Sequence, residues 1–136
     1  MLSLAILFPL AAAAAVLLSA GRGGMARALF LGATAVEVVL TAILWAGYRT
    51  PGPDGLAYEE RLRWIPNVGS SYHVGVDGLS LPLIGLTAVI FLACAVYDWG
   101  ARDRPAPRAA LFLFLEATSV GLFAAQDLIL FFLFFD

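Results

Sequence analysis

The sequence predicts an all-α protein, a polytopic membrane helical bundle with four transmembrane helices and the first half of a fifth. Three observations lead there. Long apolar runs recur along the chain, and a helix needs about 20 apolar residues to cross roughly 30 Å of hydrocarbon with its backbone satisfied. The composition is 62% hydrophobic and only 13% charged, against about a quarter charged in soluble domains. The charges also gather between the runs, beside glycines and prolines, rather than within them.

The first predicted helix covers about 2–20, LSLAILFPLAAAAAVLLSA, and ends at Gly21-Arg22-Gly23-Gly24. No side-chain charge precedes Arg22, and the run is long enough to span, so it reads as a transmembrane helix rather than a secretory leader. Its alanine run at 11–15 suits close helix packing. The second helix covers about 28–47 and closes with Trp45 and Tyr48, aromatic residues fitted to the headgroup belt.

Residues 48–78 form the one long connection, an outside loop rich in arginine, acid and proline. Within it Ser71-Tyr72-His73-Val74-Gly75-Val76-Asp77 alternates, placing Tyr72, Val74 and Val76 on one face. That is strand periodicity, and with Leu62 to Ile65 and the turn-like Pro66-Asn67-Val68-Gly69 it suggests a small β-hairpin. His73, the single histidine, reads as ordinary loop packing.

The third helix covers about 79–97, with Pro82 tolerated in its first turn and Ser80 or Asp77 available as a cap. Cys94, the single cysteine, reads as a small buried apolar residue. A polar link at 98–108 leads to the fourth helix, about 109–125 and slightly short for a span. Gln126-Asp127 then turns the chain, and Asp127 is placed to cap a helix over 128–136. At 1.5 Å per residue that last piece reaches only about 14 Å, half the hydrocarbon, so the helix is expected to continue or not to insert. All of 1–136 reads as a single membrane domain.

Arginine placement sets the orientation, because short cytoplasmic loops retain positive charge. Arg22, Arg27, Arg102, Arg104 and Arg108 occupy the two short links. Those links should face the cytoplasm, leaving the amino terminus, the long loop and the Asp127 turn outside.

Three acids fall inside apolar runs: Glu37, Glu116 and Asp136. A charge at mid-helix costs about 2.5 to 3.5 kcal/mol on insertion scales, so such acids commonly face a protein interior and mark proton or ion paths. Removal from water favours the neutral form of a carboxyl, which can then take up and release a proton. Counted from the 126/127 turn, Glu116 and Asp136 lie about ten residues to either side, at one level of an antiparallel pair. A plainer reading for Glu116 is a structural hydrogen bond to Ser119 or to a neighbouring helix. Glu37, alone on its helix among valines, is the weakest of the three.

Several stretches carry a resemblance. Trp64-Ile65-Pro66, with Ser71-Tyr72-His73-Val74-Gly75-Val76-Asp77-Gly78-Leu79-Ser80, resembles the antiporter-like M subunit of bacterial respiratory NADH:quinone oxidoreductase, complex I. Leu115-Glu116, Gly121-Leu122-Phe123-Ala124-Ala125-Gln126-Asp127-Leu128 and the FFLFFD of 131–136 resemble that family's fourth helix, turn and fifth-helix opening. The resemblance implies that Asp136 stands where the family carries a glutamate essential for proton translocation, one methylene shorter. It implies an amino-terminal third of a proton-translocating membrane-arm subunit in the bacterial inner membrane, unable to pump alone. Its partners would be the lipid bilayer and other membrane-arm subunits. NADH, flavin, iron-sulfur clusters and quinone would sit in partner subunits, with no catalytic redox site in this chain.

Two alternatives stand beside this reading. One is a subunit of a multisubunit sodium/proton antiporter or membrane-bound hydrogenase. The other is a small membrane scaffold or assembly protein that transports nothing. The sequence holds no glycine-rich phosphate loop, no nucleophile beside a base and no metal-ligand spacing, which speaks against a soluble enzyme. Its net charge of -2 speaks against a nucleic-acid binder.

Overall fold

The computed structural model describes residues 2–19, 22–48, 57–100 and 103–136. The described residues form five α-helices and one hairpin: α1 (Leu2–Leu18), α2 (Gly23–Ala46), β1 (Ala57–Ile65), β2 (Ser70–Val76), α3 (Ser80–Asp98), α4 (Pro105–Ala124) and α5 (Leu128–Phe135). The helices run alternately up and down, so that α2 and α4 are parallel. The hairpin lies across one end of the bundle, called here the hairpin end; the α1–α2 and α3–α4 links form the other.

Two helices start earlier than the apolar runs suggest. α2 begins at Gly23 rather than near 28, its first turn closed by Ala26 N–H donating to the Arg22 carbonyl. Near a bilayer an unpaired backbone group is costly enough to draw the glycines into the helix. α4 begins at Pro105 rather than 109, because proline is well suited to a first helical turn. α1 stops at Leu18, where the Ser19 hydroxyl donates to the Val16 carbonyl at 2.7 Å.

These shifts change which helices are long enough to span. Residues 24–46, α3 and α4 are each long and apolar enough to cross a membrane, while α1, with 17 residues, is shorter. The sequence reading makes α4 the short one; the structure makes it α1.

The hairpin is present and antiparallel, pairing Glu60 with Val74, Leu62 with Tyr72 and Arg63 with Ser71. A 3-10 turn at Pro66–Val68 joins the strands and closes on Gly69, whose φ of 68° favours a residue without Cβ. Val74 and Val76 are buried and Tyr72 half-buried, but Ser71 and Gly75 are buried too. Strict alternation fails because β2 is covered on one face by helix ends and along its edge by the α4–α5 turn, where Val74 bridges to Ala125.

Two apolar clusters hold the bundle. At the hairpin end Leu2, Ile6, Leu44, Val74, Leu81, Ile84, Val120 and Leu130 pack together. Toward the links Ala13, Val16, Phe30, Ala95, Ala106, Ala110 and Leu113 do so, with Phe30 and Phe112 stacked at 5.6 Å. α1 packs most extensively on α4. Of the alanine run at 11–15, Ala13 is buried and Ala12 half-buried, whereas Ala11, Ala14 and Ala15 are exposed. The close-packing surface lies mainly on α4, at Ala106, Ala109, Ala110, Ala117 and Ala124. Arg27 donates to the Trp99 carbonyl and Arg108 pairs with Asp98 at 3.4 Å, so arginines of the short links fasten that end.

Candidate functional site

Between the two apolar clusters lies a polar layer. α2 turns Thr34, Glu37 and Thr41 onto one buried face, as positions three and seven residues apart do on a helix. α4 contributes Glu116. Both carboxyls are 0% exposed, and none of their four oxygens has a hydrogen-bond partner among the described residues.

Depth follows from the helix ends. Glu37 stands nine residues before the end of α2 at Ala46, and Glu116 eight before the end of α4 at Ala124. At 1.5 Å per residue both lie about 12 to 14 Å from the hairpin end. The helices are parallel and in contact, so the two acids stand on neighbouring helices at about one level. The neighbouring hydroxyls are committed elsewhere. Thr34 donates to the Phe30 and Leu31 carbonyls, Thr41 to the Glu37 carbonyl and Thr87 to the Leu83 carbonyl.

The sequence reading sets Glu116 level with Asp136; in the structure the acid buried at a similar depth on a helix touching α4 is Glu37. Asp136 is exposed, and no hydrogen bond or ion pair joins it to Glu116 among the described residues. Ser119 does not serve Glu116 either, since its hydroxyl donates to the Leu115 carbonyl at 2.8 Å. Glu37 looked isolated because helix rotation, which spacing within one helix cannot give, decides what it faces.

Around the turns, carboxylates act on backbone. Asp77 Oδ1 accepts from Leu79 N–H at 2.9 Å and Ser80 N–H at 2.7 Å, opening α3. Asp127 does more. Its Oδ1 accepts from Ile129 N–H at 2.9 Å, capping α5, while Oδ2 accepts from Ser71 N–H at 2.8 Å and the Ser70 hydroxyl at 3.3 Å. Gln126 completes the clamp, its N–H donating to the His73 carbonyl and its side-chain amide to the Gly75 carbonyl. His73 pairs with Glu59 at 2.5 Å. The Ser3 hydroxyl bonds Glu60 and meets the Tyr72 hydroxyl, tying α1 to both strands. Sequence reasoning finds the cap at Asp127 but misses its second use, because Ser70 and Ser71 lie more than fifty residues away.

The backbone N–H groups of Ser71 and Ile129 hold the Asp127 carboxyl below its ordinary value of 3.8. A depressed acid stabilises the fold fully above the unfolded value, and the stabilisation is lost as pH falls through the folded one. Amide hydrogen exchange at Ser71 should therefore be slow and insensitive to protonation of Asp127 above about pH 4, and lose protection below it. Protection unchanged down to pH 2 would show that the carboxylate does not hold the strand.

Among the described residues no group of three or more His, Cys, Asp or Glu side chains could hold a metal ion.

No family model matches the chain. It is 37% identical over 134 residues to NAD(P)H-quinone oxidoreductase chain 4 of Synechococcus sp. (strain CC9311), covering 97% of this chain and 24% of that one. It is 41% identical over 99 residues to the protein of the same name from Gloeobacter violaceus, covering 73% of this chain and 19% of that one. In fold it resembles a chain of respiratory complex I from Thermus thermophilus with bound NADH, with a TM-score of 0.80 and 28% identity, over 99% of this chain and 26% of that one. The chain thus spans about a quarter of the length of the curated relatives it matches.

Proposed function

We infer the function from a chain that belongs with chain 4 of the NAD(P)H-quinone oxidoreductases, the M-type subunit of complex I, as the homologue of about a quarter of it. The proposed role is proton translocation as part of that membrane-arm subunit. Other subunits of the complex hold NADH, flavin, iron-sulfur clusters and quinone. Four spans and the opening of a fifth cross the bacterial inner membrane, α1 among them by local thinning of the bilayer around a short helix. The amino terminus, hairpin and Asp127 turn lie outside. Ser3 against Glu60, and Asp127 against Ser71, support placing those three on one side.

One observation carries the proposal: Glu37 and Glu116 are fully buried at one depth with no partner for their oxygens among the described residues. A buried polar group without hydrogen bonds is a net cost to the fold, and in a membrane such a group is most simply retained for a path. Glu37 and Glu116 take up and pass on a proton, and Asp136 is the next acid of the path.

Glu37→Gln tests this in the complete subunit within its assembled complex. Proton uptake by membrane vesicles, driven by the electron donor of the complex, should fall about a hundredfold, the low end of what a positioned proton-transfer group contributes. The amount of subunit in the membrane should not change. Unchanged uptake would remove Glu37 from the path, and a fall in abundance alone would favour the scaffold reading.

A further inference from the structure

The hairpin touches the two acid-bearing helices separately, and each contact is made near the end of a helix. On α2, the Tyr58 hydroxyl donates to the Leu44 carbonyl at 3.0 Å. Gly47 leaves room for that hydroxyl; a Cβ there would stand 2.5 Å from it. On α4, the chain leaving Ala124 is bound to β2 by the Val74–Ala125 bridge, by Gln126 and by Asp127. Tyr58 has a φ of 54°, in the left-handed region, a conformation that persists only where the surroundings enforce it. The contact on α2 is thus made by a residue held in an unfavourable backbone state.

We propose that the hairpin is a positioning strap, in which Tyr58 and Asp127 hold the ends of α2 and α4 at the spacing that sets Glu37 against Glu116. This rests on the proton-path reading of the two acids. Leu44 is seven residues from Glu37 and Ala124 eight from Glu116, so a helix end shifted at the strap carries its acid with it, helices being stiff over two turns. Among the described residues of the helices, little else can tune the pair electrostatically. α1 has no titratable side chain, and α3 carries Cys94, Tyr97 and Asp98 only toward the links. Arg27 on α2 and Arg108 on α4 lie at that same end, and Asp136, just past α5, is exposed. Tyr58 and Asp127 are positioning residues; they touch neither carboxyl.

The test uses the complete subunit in its assembled complex. The carboxyl stretching band, protonated or ionised, that disappears in Glu37→Gln and Glu116→Gln is followed by infrared difference spectroscopy. Tyr58→Phe keeps the ring packing and removes the tie to α2, and Asp127→Asn weakens the tie to the turn. Each should shift that band while both acids remain. Gly47→Ala should shift it by displacing the Tyr58 hydroxyl, and Gly47→Ala with Tyr58→Phe should look like Tyr58→Phe alone. A band unmoved when Tyr58→Phe and Asp127→Asn are combined overturns the strap. Proton uptake judges the reading beneath it. If the two glutamine variants lose the band but keep full uptake, the proton path falls, and the strap still stands or falls on the band.

Discussion

Glutamine at position 116 is expected to cut proton uptake about a hundredfold in vesicles carrying the complete complex, the low end for loss of a positioned acid or base. Glu116→Gln preserves the shape of the side chain and fills the same space between Leu113 and Val120. It cannot carry the proton. Because Glu37 and Glu116 are buried at about one depth on helices that touch, they should behave as one unit. The double variant with Glu37→Gln should then lose little more than Glu116→Gln alone, as residues acting together are strongly non-additive. Independent losses that multiply would separate the acids into two routes. Glu116→Asp, which keeps the acid but withdraws it by one methylene, should fall between the two. Subunit abundance, measured on the same membranes, should hold steady, since an amide meets the same unpaired surroundings as a neutral acid.

The second large effect concerns α5. Gly121 is buried on α4, and a Cβ added there would stand 2.5 to 2.6 Å from three atoms of the Phe134 ring. No rotation of the α4 side chain avoids this, because Cβ is fixed by the backbone. Gly121→Ala therefore pushes Phe134 aside, and α5 is pulled against its two remaining holds, buried Leu130 and the Asp127 cap. Overpacking of this kind costs about 1 to 3 kcal/mol. The loss should appear as a lower melting temperature of the detergent-solubilised complex and faster exchange of α5 amides. Phe134→Ala clears the space, so the double variant should regain part of the stability. A melting temperature unaffected by Gly121→Ala would mean that α5 does not rest on this glycine.

What could be read from the sequence, and what could not, divides along a physical line. Features set by neighbours in the chain were legible. Alternating residues at 71–77 announced a strand, Pro66-Asn67-Val68-Gly69 its turn, and Asp127 before Leu128 a helix start. Long apolar runs announced helices, although their starts at Gly23 and Pro105 lay outside the runs, where arginine and glycine resembled a link. Features set by rotation and by distant chain were not legible. Glu37 is buried because of the way α2 is rotated against its neighbours, and nothing in Val36 or Val38 gives that direction. Ser71 meets Asp127 because the hairpin folds back over the α4–α5 turn. The family-like motifs marked the Asp136 neighbourhood, while the buried pair involves a glutamate from the part of the chain with the least motif.

The equal depth of the two buried acids has an electrical meaning. A charge crossing the whole bilayer does work of about 2.3 kcal/mol per 100 mV. A proton passing from α2 to α4 moves sideways along a surface of constant potential and does almost none. That transfer would run at the same rate on an energised membrane as on a de-energised one. The voltage would be felt only on the approach to the pair and on departure from it, about 12 to 14 Å from the hairpin end on one side.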